Sequence, residues 1–97
     1  MIFGNRIRKL REEKGLLLRQ VAAKLEMDTA TISKIERGTR HAKKEQVKLL
    51  AVILNIPENE LEILWLADKL YGIIEDEENA LNALKVAEKE VRYQINN

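Results

Sequence analysis

Thr29, Ala30, Thr31, Ser33 and Lys34 stand close together in the stretch MDTATISKIERGTR, from Met27 to Arg40, with Arg37, Thr39, Arg40 and then Lys44 behind them. Short hydroxyls and amines offer hydrogen bonds at close range, and the basic residues attract anions. That is the chemistry of recognition, with no bond made or broken. A nucleophilic alternative would have to use the one serine, Ser33, with the one histidine, His41. Neither sits in a sequence resembling a strained nucleophile elbow, and without cysteine there is no thiolate nucleophile, thiolate metal site or disulfide. No catalytic residue is expected, so the chain does not read as an enzyme. His41 lacks a second histidine or a cysteine to complete a metal set, and the EDEE run at Glu75 to Glu78 lacks the spaced ligands and glycine of a calcium loop. Neither metal nor cofactor is expected.

Net charge is only +1, but its distribution is uneven. Residues 1–44 hold 12 Lys and Arg against 5 Asp and Glu, 12 − 5 = +7, and residues 45–97 hold 5 against 11, 5 − 11 = −6. A basic half can draw in a polyanion while the acidic half discourages indiscriminate coating.

The elements that position these residues are read as helices throughout. Phe3, Ile7 and Leu10 recur at helical spacing before Gly15, and Leu18, Val21, Ala22 and Leu25 mark a short second helix ending near Glu26. A third follows Asp28 as N-cap, turns Ile32 and Ile35 inward and stops at Gly38. Val47, Leu50, Ala51 and Leu54 mark a fourth, closed by Asn55; Pro57 is placed at the first position of a fifth that reaches Gly72. In that fifth helix Ile63, Leu64, Trp65, Leu66 and Ala67 are consecutive, so apolar groups face all round and one core can cover only one side. A last helix is expected after Asp76, with acids in its first turn and a stripe of Ala80, Leu84, Ala87, Val91 and Ile95.

The segment KGLLLRQVAAKLEMDTATISKIERGTR resembles the helix-turn-helix of the lambda-repressor and Cro-like (XRE) family of DNA-binding regulators, most closely from Ala22 to the I-S-K-I-E-R-G ending at Gly38. The resemblance extends over about Phe3 to Leu66. It implies an all-α fold: a five-helix helix-turn-helix domain over residues 1–70, and an extra C-terminal helical extension over 71–97 that packs on the same domain and forms the dimer interface. It implies that the third helix enters the major groove, where short polar side chains read base edges. Thr29, Ala30, Thr31, Ser33 and Lys34 fall at base-reading positions, and Arg37, Thr39, Arg40 and Lys44 at phosphate-binding ones.

Two departures from the family pattern stand out. Leu17 and Leu18 replace a Thr-Gln pair at the start of the second helix and can neither donate nor accept. Either they cover extra apolar surface, or Arg19 and Gln20 take up the phosphate contact. Glu26 stands where a turn glycine is common, a position where positive φ is expected. Arg11 and Glu36 match positions of a partly buried structural ion pair, whose role would be to set the angle of the recognition helix.

The resemblance implies a homodimer on a palindromic double-stranded operator, since one module reads few bases. Ile63, Trp65, Leu66, Leu70, Leu84 and Val91 are the expected dimer-interface residues. The implied function is a sequence-specific transcription regulator, such as a phage-type repressor or a restriction-modification controller. The alternatives are an antitoxin that represses its own operon, with a second protein as partner, and an interaction adaptor with a vestigial helix-turn-helix. The apolar run Ile63 to Ala67 is far short of the roughly 20 residues of a membrane helix. The N-terminus lacks the apolar region of a secretory signal. The expectation is a cytoplasmic protein with no membrane association.

Overall fold

Apolar residues recurring every three or four positions produce six helices, and no strand occurs among the described residues. The computed structural model describes residues 2–96; Met1 and Asn97, which the expected domain bounds included, lie outside the described residues. Helix α1 spans Ile2–Glu13, α2 Leu18–Lys24, α3 Thr29–Arg37, α4 Lys44–Leu54, α5 Glu58–Ile74 and α6 Ala80–Asn96. The first five form the all-α arrangement expected of the lambda-repressor-like fold. No described helix is long and apolar enough to cross a membrane.

The helix stops follow backbone chemistry. Gly15, Gly38 and Asn55 all adopt left-handed φ, between 55° and 78°, where a glycine or asparagine is tolerated. Glu26 does the same at φ 54° in the turn between α2 and α3, so the expected positive φ there is present without the glycine that would make it free of strain.

Phe3, Ile7 and Leu10 of α1 meet Val21, Ile32, Ile35, Val47, Leu50, Leu54, Leu61 and Trp65 in one core. Gly4 lets α1 approach the end of α3: a Cβ there would stand 2.6 Å from the Ile35 carbonyl oxygen and closer still to that of Glu36. Asp68 ties α5 to the start of α1. Its two carboxylate oxygens accept from the backbone N–H groups of Ile2, at 3.0 Å, and Phe3, at 2.8 Å, which the first turn of α1 leaves without helical partners.

Helix α5 has two apolar sides. Leu61 and Trp65 face the core, whereas Ile63, Leu66, Leu70 and Ile73, at intervals of three and four, are 62, 47, 51 and 73% exposed on the opposite side. This corrects the expectation for Trp65, which is only 8% exposed and belongs to the core instead of a dimer surface. Helical rotation places it a little over half a turn from Ile63.

The C-terminal part also departs from expectation. The boundary at residue 70 falls inside α5, which continues past Gly72 to Ile74. Pro57 is the N-cap of α5, with extended ψ 135°, and Glu58 is the first helical residue. The acids Glu77 and Glu78 lie in the turn before α6 and not in its first turn. Helix α6 was expected to pack on the same domain, yet none of its residues is buried; Leu84 is half-buried and Val91 exposed.

Candidate nucleic-acid interface

Helix α3 is held at both ends. The Asp28 Oδ1 accepts from the Thr31 N–H at 2.7 Å, capping the first turn. Hydrogen bonding from Thr31 holds the Asp28 carboxyl below its ordinary value, and the nearby charges of Arg40 and Lys34 act in the same direction. At the other end Gly38 adopts φ 78°, its N–H and that of Thr39 return to the Ile35 and Lys34 carbonyls, and the Thr39 hydroxyl donates to Lys34 at 3.3 Å.

Ile32 and Ile35 anchor the buried side. Thr29, Ala30 and Lys34 are therefore exposed on the outer side, while Thr31 and Ser33 are half-buried at its margins. Five expected readers thus divide into three on the open face and two beside it. The backbone of Thr31 is committed to the cap.

The orientation of this face is set by Arg11 and Glu36. Arg11 Nε and one terminal nitrogen donate to the two Glu36 carboxylate oxygens at 2.7 and 3.1 Å, and the other terminal nitrogen donates to the Leu16 carbonyl at 2.9 Å. Both side chains are largely buried. Glu36 raises the Arg11 pKa above its already high ordinary value, chiefly through the hydrogen bond, so the guanidinium stays charged. The expected ion pair is thus present, and it also fixes the turn at the start of α2.

The basic loop between α3 and α4 is fastened from beneath. Trp65 Nε1 donates to the Ala42 carbonyl at 2.7 Å in a buried bond. Arg40 and His41 are exposed beside that anchor, and Lys44, the first residue of α4, reaches Glu62 at 3.4 Å. Arg37 is exposed and its Nε donates to the Ser33 carbonyl at 3.4 Å. On α2, Arg19 is exposed and free of burial, but the Gln20 Oε1 accepts from the Leu17 N–H at 2.7 Å. Gln20 therefore caps its own helix, which leaves only its amide nitrogen to reach outward. Sequence reading passed over Trp65, Ala42 and Asp68 as positioning residues. An indole and a carboxylate on one helix both seek partners when buried, but the partners lie 23 and 65 positions away in the chain.

The helix-turn-helix family model matches residues 7–61, more than half of the chain, and the chain belongs to that family. It is 40% identical over 60 residues to RghRB of Bacillus subtilis (strain 168), an uncharacterized HTH-type transcriptional regulator. The match covers 61% of this chain and 43% of that protein, so it spans less than half of the relative's length.

Proposed function

We propose that the protein is a sequence-specific transcription regulator that binds double-stranded DNA as a homodimer, with α3 in the major groove of each half-site. The observation that carries this reading is the outward face of α3. Thr29, Ala30 and Lys34 are exposed on a helix whose other side is anchored by Ile32, Ile35 and the Arg11–Glu36 pair. Small side chains let the helix approach base edges, and Lys34 can donate to guanine acceptors. Arg37 and Arg40, exposed at the end of α3 and in the loop after it, can meet the flanking phosphates.

Dimerisation is supported by the outer stripe of α5, which continues onto α1. Ile2 and Ile63 share an open groove of about 600 Å³ between the two helices. An exposed apolar stripe of this kind is unfavourable in water and is relieved by a second copy, which also supplies the second recognition helix. The operator would be two-fold symmetric, with half-sites about one helical turn apart.

Selection of bound sites from random duplex DNA tests the proposal: a symmetric consensus is expected, and recovery of no consensus would overturn sequence-specific regulation. One observation favours a second role for the C-terminus. Helix α6 exposes Leu81, Val86, Val91, Tyr93 and Ile95, which suits a protein partner such as the toxin of a self-repressing antitoxin. A toxin gene beside this one would select that role, and a methyltransferase or integrase gene would select a restriction-modification or phage role.

A further inference from the structure

A cleft of about 370 Å³ opens where the first three helices meet, lined by Asn5 and Arg8 from α1, Leu18 from α2, and Ser33 and Arg37 from α3. The Arg11–Glu36 pair lies beneath it, and that guanidinium is neutralised by its bidentate partner. The other two are not held in this way. Arg37 uses only its Nε, at 3.4 Å to a backbone carbonyl, and keeps its terminal nitrogens for a ligand. Arg8 pairs with Glu12 on its own helix at 3.1 Å, with both side chains more than half exposed. Surface pairs of this type contribute little and exchange readily.

Two planar guanidinium forks, an amide and a hydroxyl converging on one cleft fit the oxygens of a phosphodiester. The position fits as well. Ser33 and Arg37 are one turn apart on α3 and flank Ala30 and Lys34, so a backbone passing this cleft keeps its bases against the reading face. Leu17 and Leu18 at the start of α2 bring no side-chain donor, and neither Arg19 nor Gln20 lines this cleft. We infer that this cleft holds a phosphate of the DNA backbone between Arg8 and Arg37, with Asn5 and Ser33 as hydrogen-bond partners. Helix α1 thereby becomes part of the DNA interface. The inference rests on the DNA-binding reading above.

The test measures affinity for duplex DNA between about 50 and 200 mM salt for the intact chain and for Arg8→Gln, with Arg37→Gln as a second variant on a different helix. Each lost phosphate contact should flatten the log-log slope by about 0.9, so the affinity lost over that fourfold salt range shrinks by roughly threefold per contact. Arg8→Lys should restore most of the slope. Thermal melting confirms that each variant is folded, and Arg8 is exposed enough that it should be. A neutral methylphosphonate at the phosphate in the cleft should weaken the parent protein and weaken Arg8→Gln less. A steep parent slope with an unchanged Arg8→Gln slope would overturn the cleft and leave DNA binding intact. A flat parent slope would overturn both.

Discussion

Trp65 and Ala42 are joined by a buried hydrogen bond, indole Nε1 to carbonyl oxygen at 2.7 Å, that fastens the basic loop after α3 to the side of α5. The loop carries the exposed Arg40 and His41, so a residue of the core helix holds part of the proposed DNA-facing surface in place. Lys69 stacks its ammonium 3.6 Å from the Trp65 ring centroid and covers what remains of the indole.

Replacing Trp65 with Phe keeps most of the ring and removes the donor, leaving the Ala42 carbonyl buried without a partner. Stability should fall by about 1 to 3 kcal/mol, the usual penalty for an orphaned buried group. Denaturant unfolding checks this. Nonspecific DNA affinity should weaken alongside, because the loop that presents Arg40 loses its anchor.

The Arg11–Glu36 pair predicts an asymmetry between single and double substitution. Removing either partner leaves a buried charge, and for Glu36→Leu or Arg11→Met a loss of about 3 to 5 kcal/mol is expected. Arg11→Met combined with Glu36→Leu should recover much of that stability, since neither side chain then requires a counterion. Chemical denaturation of the four species gives the coupling. A double variant as unstable as the sum of the single ones would contradict it.

Most of the fold was legible because helical spacing, Asp28, Gly38 and Asn55 each state their local role without help from the rest of the chain. The ion pair was legible through the resemblance. What escaped was tertiary. Gly4 looks like any glycine inside a helix until Ile35 and Glu36 are brought against it, and Asp68 looks like a surface acid until the start of α1 arrives. The consecutive apolar residues of α5 announced two faces but not which one Trp65 joined. Asn5 and Arg8 carry no motif, and their relation to Ser33 and Arg37 exists only because α1 crosses α3. The placement of α6 was misjudged because its stripe gives a face without naming what covers it.

Asp28 makes the capping of α3 pH-dependent. Its folded pKa lies below the ordinary value of 3.8, chiefly through hydrogen bonding from Thr31. The stabilisation is therefore complete above that value and is lost as pH falls below 3.8 and through the depressed folded value. Asp28→Asn caps the helix without a charge, so its stability should lack this acid-sensitive component. Melting temperatures of the two proteins should converge on acidification. A gap that stays constant from neutral pH into that acid window would show that the carboxylate charge does not matter.

The outer stripe of α5 should control assembly. Light scattering at micromolar concentration is expected to give twice the chain mass of 11.2 kDa. Leu66→Glu together with Leu70→Glu should give a folded monomer, because both residues are exposed in the single chain and their removal leaves the core unchanged. DNA affinity should drop in the same variant, since two linked half-sites bind far more tightly than one. A parent protein that remains monomeric would end the dimer reading.

The two ends of α3 should fail in different ways. Thr29, Ala30 and Lys34 occupy the exposed face at the start and middle of the helix, whereas Arg40 lies beyond its glycine stop. A side chain that reads a base discriminates between sequences, and one that meets a phosphate does not. Lys34→Ala should therefore lower affinity for the selected operator by about 1 to 3 kcal/mol, relax preference at one base pair, and affect scrambled duplex much less. Thr29→Ala should act similarly on a neighbouring base pair. Thr31→Ala should have a smaller effect on reading, because Thr31 is half-buried and its backbone serves the Asp28 cap. Arg40→Ala should weaken operator and scrambled duplex about equally and flatten the salt slope by about 0.9 per contact. Binding of each variant to both duplexes supplies the comparison. Equal losses on the two duplexes for Lys34→Ala and Thr29→Ala would mean that this face does not read sequence.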